Sequence, residues 1–240
     1  MKQFITSIPV ILLLNLTYAQ TVEPAKNVEQ HILQFEIETS YSIENNSHTK
    51  IESFSIPSVL VRYGLNNSIE LQVSVPIIKE NHFADDKLIH TNHLINDMQL
   101  GLQYSLRDEA NGLPQTSFMV RTVIPPSNIS FSKLSYITAL NFANNITHNL
   151  SLNYNLGLLF GNQEPTTSYY ILNATYSTKK LHYFIENTSN FIVNHKPLHN
   201  LSFGFGIDFN SNFTVDFSST SGINHDLFAL GAIFIYNFKI

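Results

Sequence analysis

Cysteine is absent from the 240 residues, and charged side chains make up only 13% of them. Without cysteine there is no disulfide framework and no thiolate metal site, although the compartment stays open. The charge is about half the ordinary soluble share. Apolar residues, at 43%, are not in excess, so Asn, Ser and Thr take the place of charge. No stretch concentrates Lys or Arg and the net charge is −5, which argues against nucleic acid and anionic membrane surfaces as partners. Long apolar runs are missing past the first twenty residues. Leu134 to Gln163 holds no Asp, Glu, Lys or Arg, yet Asn141, Asn144, Asn145, Asn149, Asn153 and Asn155 interrupt it at spacings that no buried helix tolerates. Neither G-x-S-x-G, H-E-x-x-H, a P-loop nor a dinucleotide fingerprint occurs. No enzymatic activity, cofactor or metal is expected on that ground.

At the N-terminus, Met1-Lys2-Gln3 is a short basic start, Phe4 to Leu16 an apolar core, and Thr17-Tyr18-Ala19 a small-residue site of the kind a signal peptidase reads. The core is shorter than the roughly 20 residues that span a bilayer, so a cleaved signal is expected in preference to an anchor helix. Residues 1–19 are thus assigned to a signal peptide cleaved after Ala19, 20–32 to a short periplasmic segment, and 33–240 to one β domain.

A two-residue period runs through that domain. In LQFEIETSYSI, Phe35, Ile37, Thr39, Tyr41 and Ile43 alternate with Gln34, Glu36, Glu38, Ser40 and Ser42. SIELQVSVPI, DMQLGLQYSLR, NLSLNYNLGLLF and LSFGFGIDF repeat the alternation. No segment offers a capped amphipathic helix. The chain is all-β, with about twelve strands. Connections after even-numbered strands are compact, such as Gly64 to Asn67 and Asn210-Ser211. Those after odd-numbered strands run longer, above all Lys79 to Ile95, Pro126 to Ser132, Asn162 to Thr166 and Asn190 to Leu198.

A soluble sandwich buries its apolar face, whereas a membrane barrel turns it to lipid and encloses the polar one. Strands of about ten residues or more suit a tilted crossing better than a sandwich. The polar face is rich in Asn, Ser, Gln and Gly rather than Lys and Glu. The last segment, LFALGAIFIYNF, sets Phe228, Leu230, Ala232, Phe234, Tyr236 and Phe238 on one face, as in chains handed to an outer-membrane insertion machine. Together these favour an antiparallel transmembrane β-barrel in the bacterial outer membrane, with lipid and the insertion machinery, through the strand ending at Phe238, as partners.

IPSVLVRYGLNNSIELQVSVP holds a Pro, then Arg-Tyr-Gly-Leu, then a turn and Glu-Leu. This resembles the hallmark of the outer-membrane transporter family labelled MetA-pathway of phenol degradation. INDMQLGLQYSL, the Pro of VIPP, Glu186 in FIENTS and NFTVDFSSTSGIN continue the resemblance over nearly all of the mature chain. It implies a barrel of about twelve strands and a transporter or channel, while the short Asn-rich loops and the tail Lys239-Ile240 depart from the pattern.

Strand parity also makes local predictions. Val59, Val61 and Tyr63 face lipid and Ser58 and Arg62 the lumen; a bulge near Ile56-Pro57-Ser58, where Pro cannot donate to the ladder, turns Phe54 and Ile56 outward too. The lumen receives Glu36, Glu38, Arg62, Glu70, Asp97, Arg107, Arg121, Glu186, Asp208 and Asp216. With Asn66 at the centre of the turn, Arg62 stands directly across from Glu70. These charges either rigidify a narrow barrel or set a pore's preference, which their acidic excess tilts toward cations. His82, His90 and His93 in one loop and His195 and His199 in another read as exposed loop residues rather than metal ligands. Three functions stay open: a transporter or channel for a small solute, a closed structural or binding barrel, and a membrane-embedded hydrolase with a rim Ser and His.

Overall fold

The computed structural model describes residues 22–46, 48–95, 97–126, 133–161 and 164–240. The expected signal peptide lies outside them, as does most of the Pro126–Ser132 connection. Thirteen strands follow one another: β1 (Ile32–Asn46), β2 (Thr49–Gly64), β3 (Ile69–Ala84), β4 (Lys87–Ile95), β5 (Met98–Arg107), β6 (Gln115–Ile124), β7 (Ser135–Asn145), β8 (Leu150–Gly161), β9 (Glu164–Ser177), β10 (Leu181–Ile192), β11 (Leu198–Asn210), β12 (Phe213–Gly222) and β13 (Asp226–Lys239). β4 and β5 are two halves of one stave: β3 pairs with β4 from Ala84↔Lys87 to Ile77↔Ile95 and with β5 from Ser74↔Gln99 to Ile69↔Tyr104. Twelve staves result, antiparallel throughout. β1 closes the ring against β13, in register from Ile32↔Lys239 to Asn45↔Asp226. Closure through β1 and β13 leaves no open sheet edge where the twelve staves pair, as strands in lipid require; beyond that level β4 pairs, among the described residues, with β3 alone.

The wall is apolar outside and polar inside. Leu71, Leu102, Leu156, Phe203, Leu230 and Phe234 expose between 40% and 55% of their area, whereas Glu70, Gln103, Asn141, Asn155, Asn173 and Glu186 expose none. Covering what remains exposed of each of these apolar side chains would gain about 0.7–1.5 kcal/mol, half the value for a fully exposed one. A wall built this way belongs in hydrocarbon. No helix among the described residues is long and apolar enough to cross a membrane, and the strands provide the crossing.

The strand pattern of the sequence reappears with three differences. Lys79–Ile95, expected as a loop, is a β-hairpin: β3 runs on to Ala84, Asp85 and Asp86 turn the chain with φ of 45° and 61°, and β4 returns. Asn and Asp tolerate that left-handed region better than other non-glycine residues. Most of ENHFADDKLIHTNHL is polar on both faces, so no apolar alternation marked it. His82 consequently sits directly opposite His90, and His93 opposite Lys79. Among the described residues no group of three or more His, Cys, Asp or Glu could hold a metal. Second, Asn190 and Ile192 belong to β10, which shortens the next connection. Third, Arg62 pairs with Gln72, and Glu70 with Gly64. The partner of Arg62 thus moves two residues along β3, around a four-residue turn in which the Asn66 side chain accepts from the backbone N–H groups of both Ser68 and Ile69.

Strand β2 bulges where the sequence indicated. Its pairing with β1 jumps from Ser55↔Ser40 to Ser58↔Glu38, and that with β3 from Ser55↔Ile78 to Ser58↔Pro76. Ile56 is 65% exposed, and the Phe54 ring packs outside against Tyr41, their centroids 4.8 Å apart. Ser55 and Ser58 both point inward and share a 2.6 Å hydrogen bond.

Candidate functional site

Residues 22–30 do not hang free below the barrel but lie across its lumen. From Val22 onward the backbone is anchored to side chains of four staves and to the backbone of a fifth. Val22 N–H donates to Glu186 Oε2 on β10 at 3.2 Å, and Glu23 N–H to Asn155 Oδ1 on β8 at 2.8 Å. Asn155 returns a bond from Nδ2 to the Glu23 carbonyl at 2.9 Å. On β5, Gln103 Nε2 donates to the Pro24 carbonyl and to Asn27 Oδ1, both at 3.0 Å. Val28 N–H donates to Glu70 Oε2 on β3 at 2.7 Å, and His31 N–H to the Gly64 carbonyl at the end of β2 at 3.0 Å. Gly64 is required here: a methyl group on it would overlap the carbonyls of Val28 and Glu29. Val22, Ala25 and Asn27 are buried.

A carboxylate holds the centre. Glu23 Oε2 lies 2.7 Å from Arg62 Nη2, and its other oxygen 2.7 Å from Arg121 Nη2. Arg62 also pairs with Glu36 at 2.7 Å and with Glu70 at 3.3 Å. Arg121 Nε donates to Gln72 Oε1 at 2.7 Å, and Gln72 Nε2 to Glu70 Oε1 at 2.6 Å. Around the wall an amide ladder continues the network: Asn141 donates to Gln103, Asn155 to Asn141, and Asn173 to Glu186 at 3.1 Å. Buried charges of this kind are tolerable only when paired and hydrogen-bonded together.

Of the charged residues read from the sequence, Arg62, Glu70 and Arg121 meet through Glu23, with Glu36 beside them. Glu186 joins them through Val22. Asp208 and Asp216 form a second cluster around His182, whose Nε2 is 3.0 Å from Asp216 Oδ1 and whose Nδ1 is 3.7 Å from Asp208 Oδ2. Arg107 is exposed at the rim, where a register shift between Ser105 and Arg107 lets it donate to the Pro114 carbonyl. Asp97 lies between β4 and β5 and is only partly buried. The sequence reading missed Glu23, His182 and the four amides Gln103, Asn141, Asn155 and Asn173. Parity placed Gln103 and Asn155 on the polar face, but a neutral side chain in an Asn-rich chain gave no signal. Glu23 lies in a stretch with no periodicity.

Above the segment the lumen opens into a cavity of about 170 Å³. Val22, Glu23, Arg62 and Arg121 form its floor. Serines 40, 42, 53, 55, 58 and 74, from β1 to β3, line one side together with the carboxylates of Glu36 and Glu38, while Met119, Ile137, Leu159 and Ile171, from β6 to β9, line the opposite one. Two large inward side chains, Tyr169 in the wall of this cavity and Phe184, rest on cross-strand glycines. Tyr169 covers Gly157 and Phe184 covers Gly204, positions where a methyl group would enter the ring.

No protein family is matched by the chain. No curated protein matches either. Solved structures do. An outer membrane channel of the COG4313 type from Pseudomonas putida F1 aligns with 90% of this chain and 100% of its own, at a TM-score of 0.66 and 11% identity. The NanC porin aligns with 86% of this chain and 100% of its own, at 0.56 and 12%. The KdgM porin, in complex with disordered oligogalacturonate, aligns with 85% and 99%, at 0.54 and 14%. At such identities the likeness establishes a shared fold, the closed twelve-stave outer-membrane type of barrel.

Proposed function

We propose that the chain is a bacterial outer-membrane channel or transporter for small molecules, closed in its resting state by its own residues 22–30. The observation behind this reading is the inside-out wall enclosing a polar lumen whose floor is a separate, non-covalently held segment. A purely structural barrel could fill its lumen with wall side chains alone. Here the filling includes a piece of chain joined to the wall only at His31, which can leave without breaking a ladder bond between staves. The fold shared with channels and porins supports the same reading. We place the short-turn rim in the periplasm, with a signal peptide cleaved after Ala19 and β13, ending at Phe238 and Lys239, as the segment offered to the insertion machinery. The Arg-Tyr-Gly-Leu resemblance to the MetA-pathway of phenol degradation family belongs to this proposal. The charge network that includes Arg62, Glu70, Arg121 and Glu186 then serves first to seat the segment.

Planar-bilayer recordings of the mature chain and of a variant lacking residues 20–30 test the reading. Low conductance in the first and at least a tenfold increase in the second is the expected result. Equal, negligible conductance in both would leave the closed barrel as the better account. Heat-modifiable migration on a denaturing gel verifies that both have folded as barrels.

A further inference from the structure

The Glu23 carboxylate stands where a ligand's carboxylate would stand. It is bound on two oxygens by two guanidinium groups, each at 2.7 Å. Both arginines are nearly buried, with Arg62 3% and Arg121 8% exposed. Their positions are fixed from behind: Arg62 by Glu36 and Glu70, and Arg121 by Gln72. Among the described residues, Glu23 is the one ion-pair partner of Arg121. The pair therefore forms a prearranged anion receptor, and the segment fills it with a tethered anion. The same carboxylate lies at the floor of the cavity, so a molecule occupying that cavity with its own anionic end downward would reach both guanidinium groups.

We infer that the lumen binds a small monocarboxylate with an apolar body, and that this ligand displaces the Glu23 carboxylate from Arg62 and Arg121 and so releases the N-terminal segment. The inference rests on the channel reading and names its ligand class. Three features select that class. Removing Glu23 from the floor without replacement leaves Arg121 buried and without a direct ion-pair partner among the described residues, a costly state that a neutral solute cannot relieve. A carboxylate restores the charge-assisted bonds, which are about twice as strong as neutral ones. Met119, Ile137, Leu159 and Ile171 then offer an aliphatic surface to the ligand's body, while the facing serines leave room for water. Glu36 and Glu38 line the β1 side of the same cavity, but a cationic end seated at the floor in place of Glu23 would meet Arg62 and Arg121 head on.

The device needs no strand to move. A ligand bound in place of Glu23 binds the displaced state alone, and that difference in affinity is what shifts a two-state equilibrium. The tethered carboxylate competes at an effective concentration on the order of millimolar. The apparent affinity of the intact protein is correspondingly lowered, and removing the competitor restores it.

Calorimetry on the full mature chain in detergent, with sodium hexanoate, hexan-1-ol and hexylammonium as probes, tests this. Hexanoate is expected to bind at least tenfold more tightly than either of the others. Glu23→Gln should tighten hexanoate at least tenfold without improving hexan-1-ol. Adding Arg121→Gln to Glu23→Gln should remove that gain, and Arg121→Lys should retain part of it; heat-modifiable migration checks that each variant folds. Equal binding of hexanoate and hexan-1-ol, absence of hexanoate binding even in Glu23→Gln, or tighter binding of hexylammonium would each overturn the proposal. These readings involve no flux, so they are independent of the bilayer test. A closed barrel that binds hexanoate would defeat the channel, and a conducting barrel indifferent to hexanoate would defeat the ligand.

Discussion

Two storeys of one lumen, built by the same staves, are packed to opposite ends. At the level of residues 22–30, Asn155 on β8 and Asn173 on β9 are fully buried and bonded. Four residues along β8, on the same inward face, Leu159 lines an open cavity, and so does Ile171 on β9. The step along β8 is only about 13 Å. In the lower storey the peptide groups of Val22, Glu23, Pro24 and Val28 each meet a side chain aimed at them, which makes the contents specific and costly to remove piecemeal. In the upper storey serines face aliphatic side chains across a gap, so nothing dictates one occupant and water or solute can exchange. Barrel architecture permits both; the difference lies in whether the inward residues of neighbouring staves are chosen to bond to a common third partner.

The contrast can be broken at its densest point first. Arg62→Met leaves Glu23, Glu36 and Glu70 facing one another without their shared counter-ion, and loss of one member of a buried ionic network costs about 3–5 kcal/mol. A fall of that size in the guanidinium unfolding midpoint, converted through the m-value, is the expected outcome. The outer wall provides a control on the lipid side. Leu102→Arg, near the middle of β5, should lower stability in bilayers by about 2–4 kcal/mol and have little effect on binding inside. Gly64→Ala separates the segment from the barrel: the added methyl meets the Val28 and Glu29 carbonyls, and overpacking costs about 1–3 kcal/mol. The expected result is a segment released to protease, with cleavage between residues 22 and 31 at least tenfold faster, while heat-modifiable migration shows that the barrel still folds. At the wet end, Ser53→Ala alters one serine of the open cavity. Its effect on stability should be within about 0.5 kcal/mol. A larger loss would mean that the upper storey is as tightly determined as the lower one.

Legibility followed the same division. Period-two alternation told which side of the wall most strand residues occupy, because a strand's side chains alternate whatever surrounds it; Arg107, past the register shift after Ser105, is exposed at the rim instead. The bulge at Ile56-Pro57 could be read for a similar reason: Phe54 and Ile56 had to change face, and Pro57 was the position able to give way. The β3–β4 hairpin escaped notice because alternation disappears where a sheet has water on both sides. Arg62 and Glu70 were expected directly across from each other, yet they meet diagonally, since pairing around the turn that Asn66 caps sets Arg62 against Gln72.

The sequence by itself determined an all-β chain with an apolar outer face, a polar inner one, and the facing of Arg62, Glu70, Arg121 and Glu186. Each of those depends on neighbours one or two residues away. Only the tertiary structure decided that Arg62 on β2 and Arg121 on β6 grip one carboxylate from a segment ahead of β1, and that an amide ladder from β5 to β10 receives that segment's backbone. Such meetings depend on the register accumulated around a closed ring and on a stretch of chain without any period of its own. Neither is written in the spacing of residues along a strand.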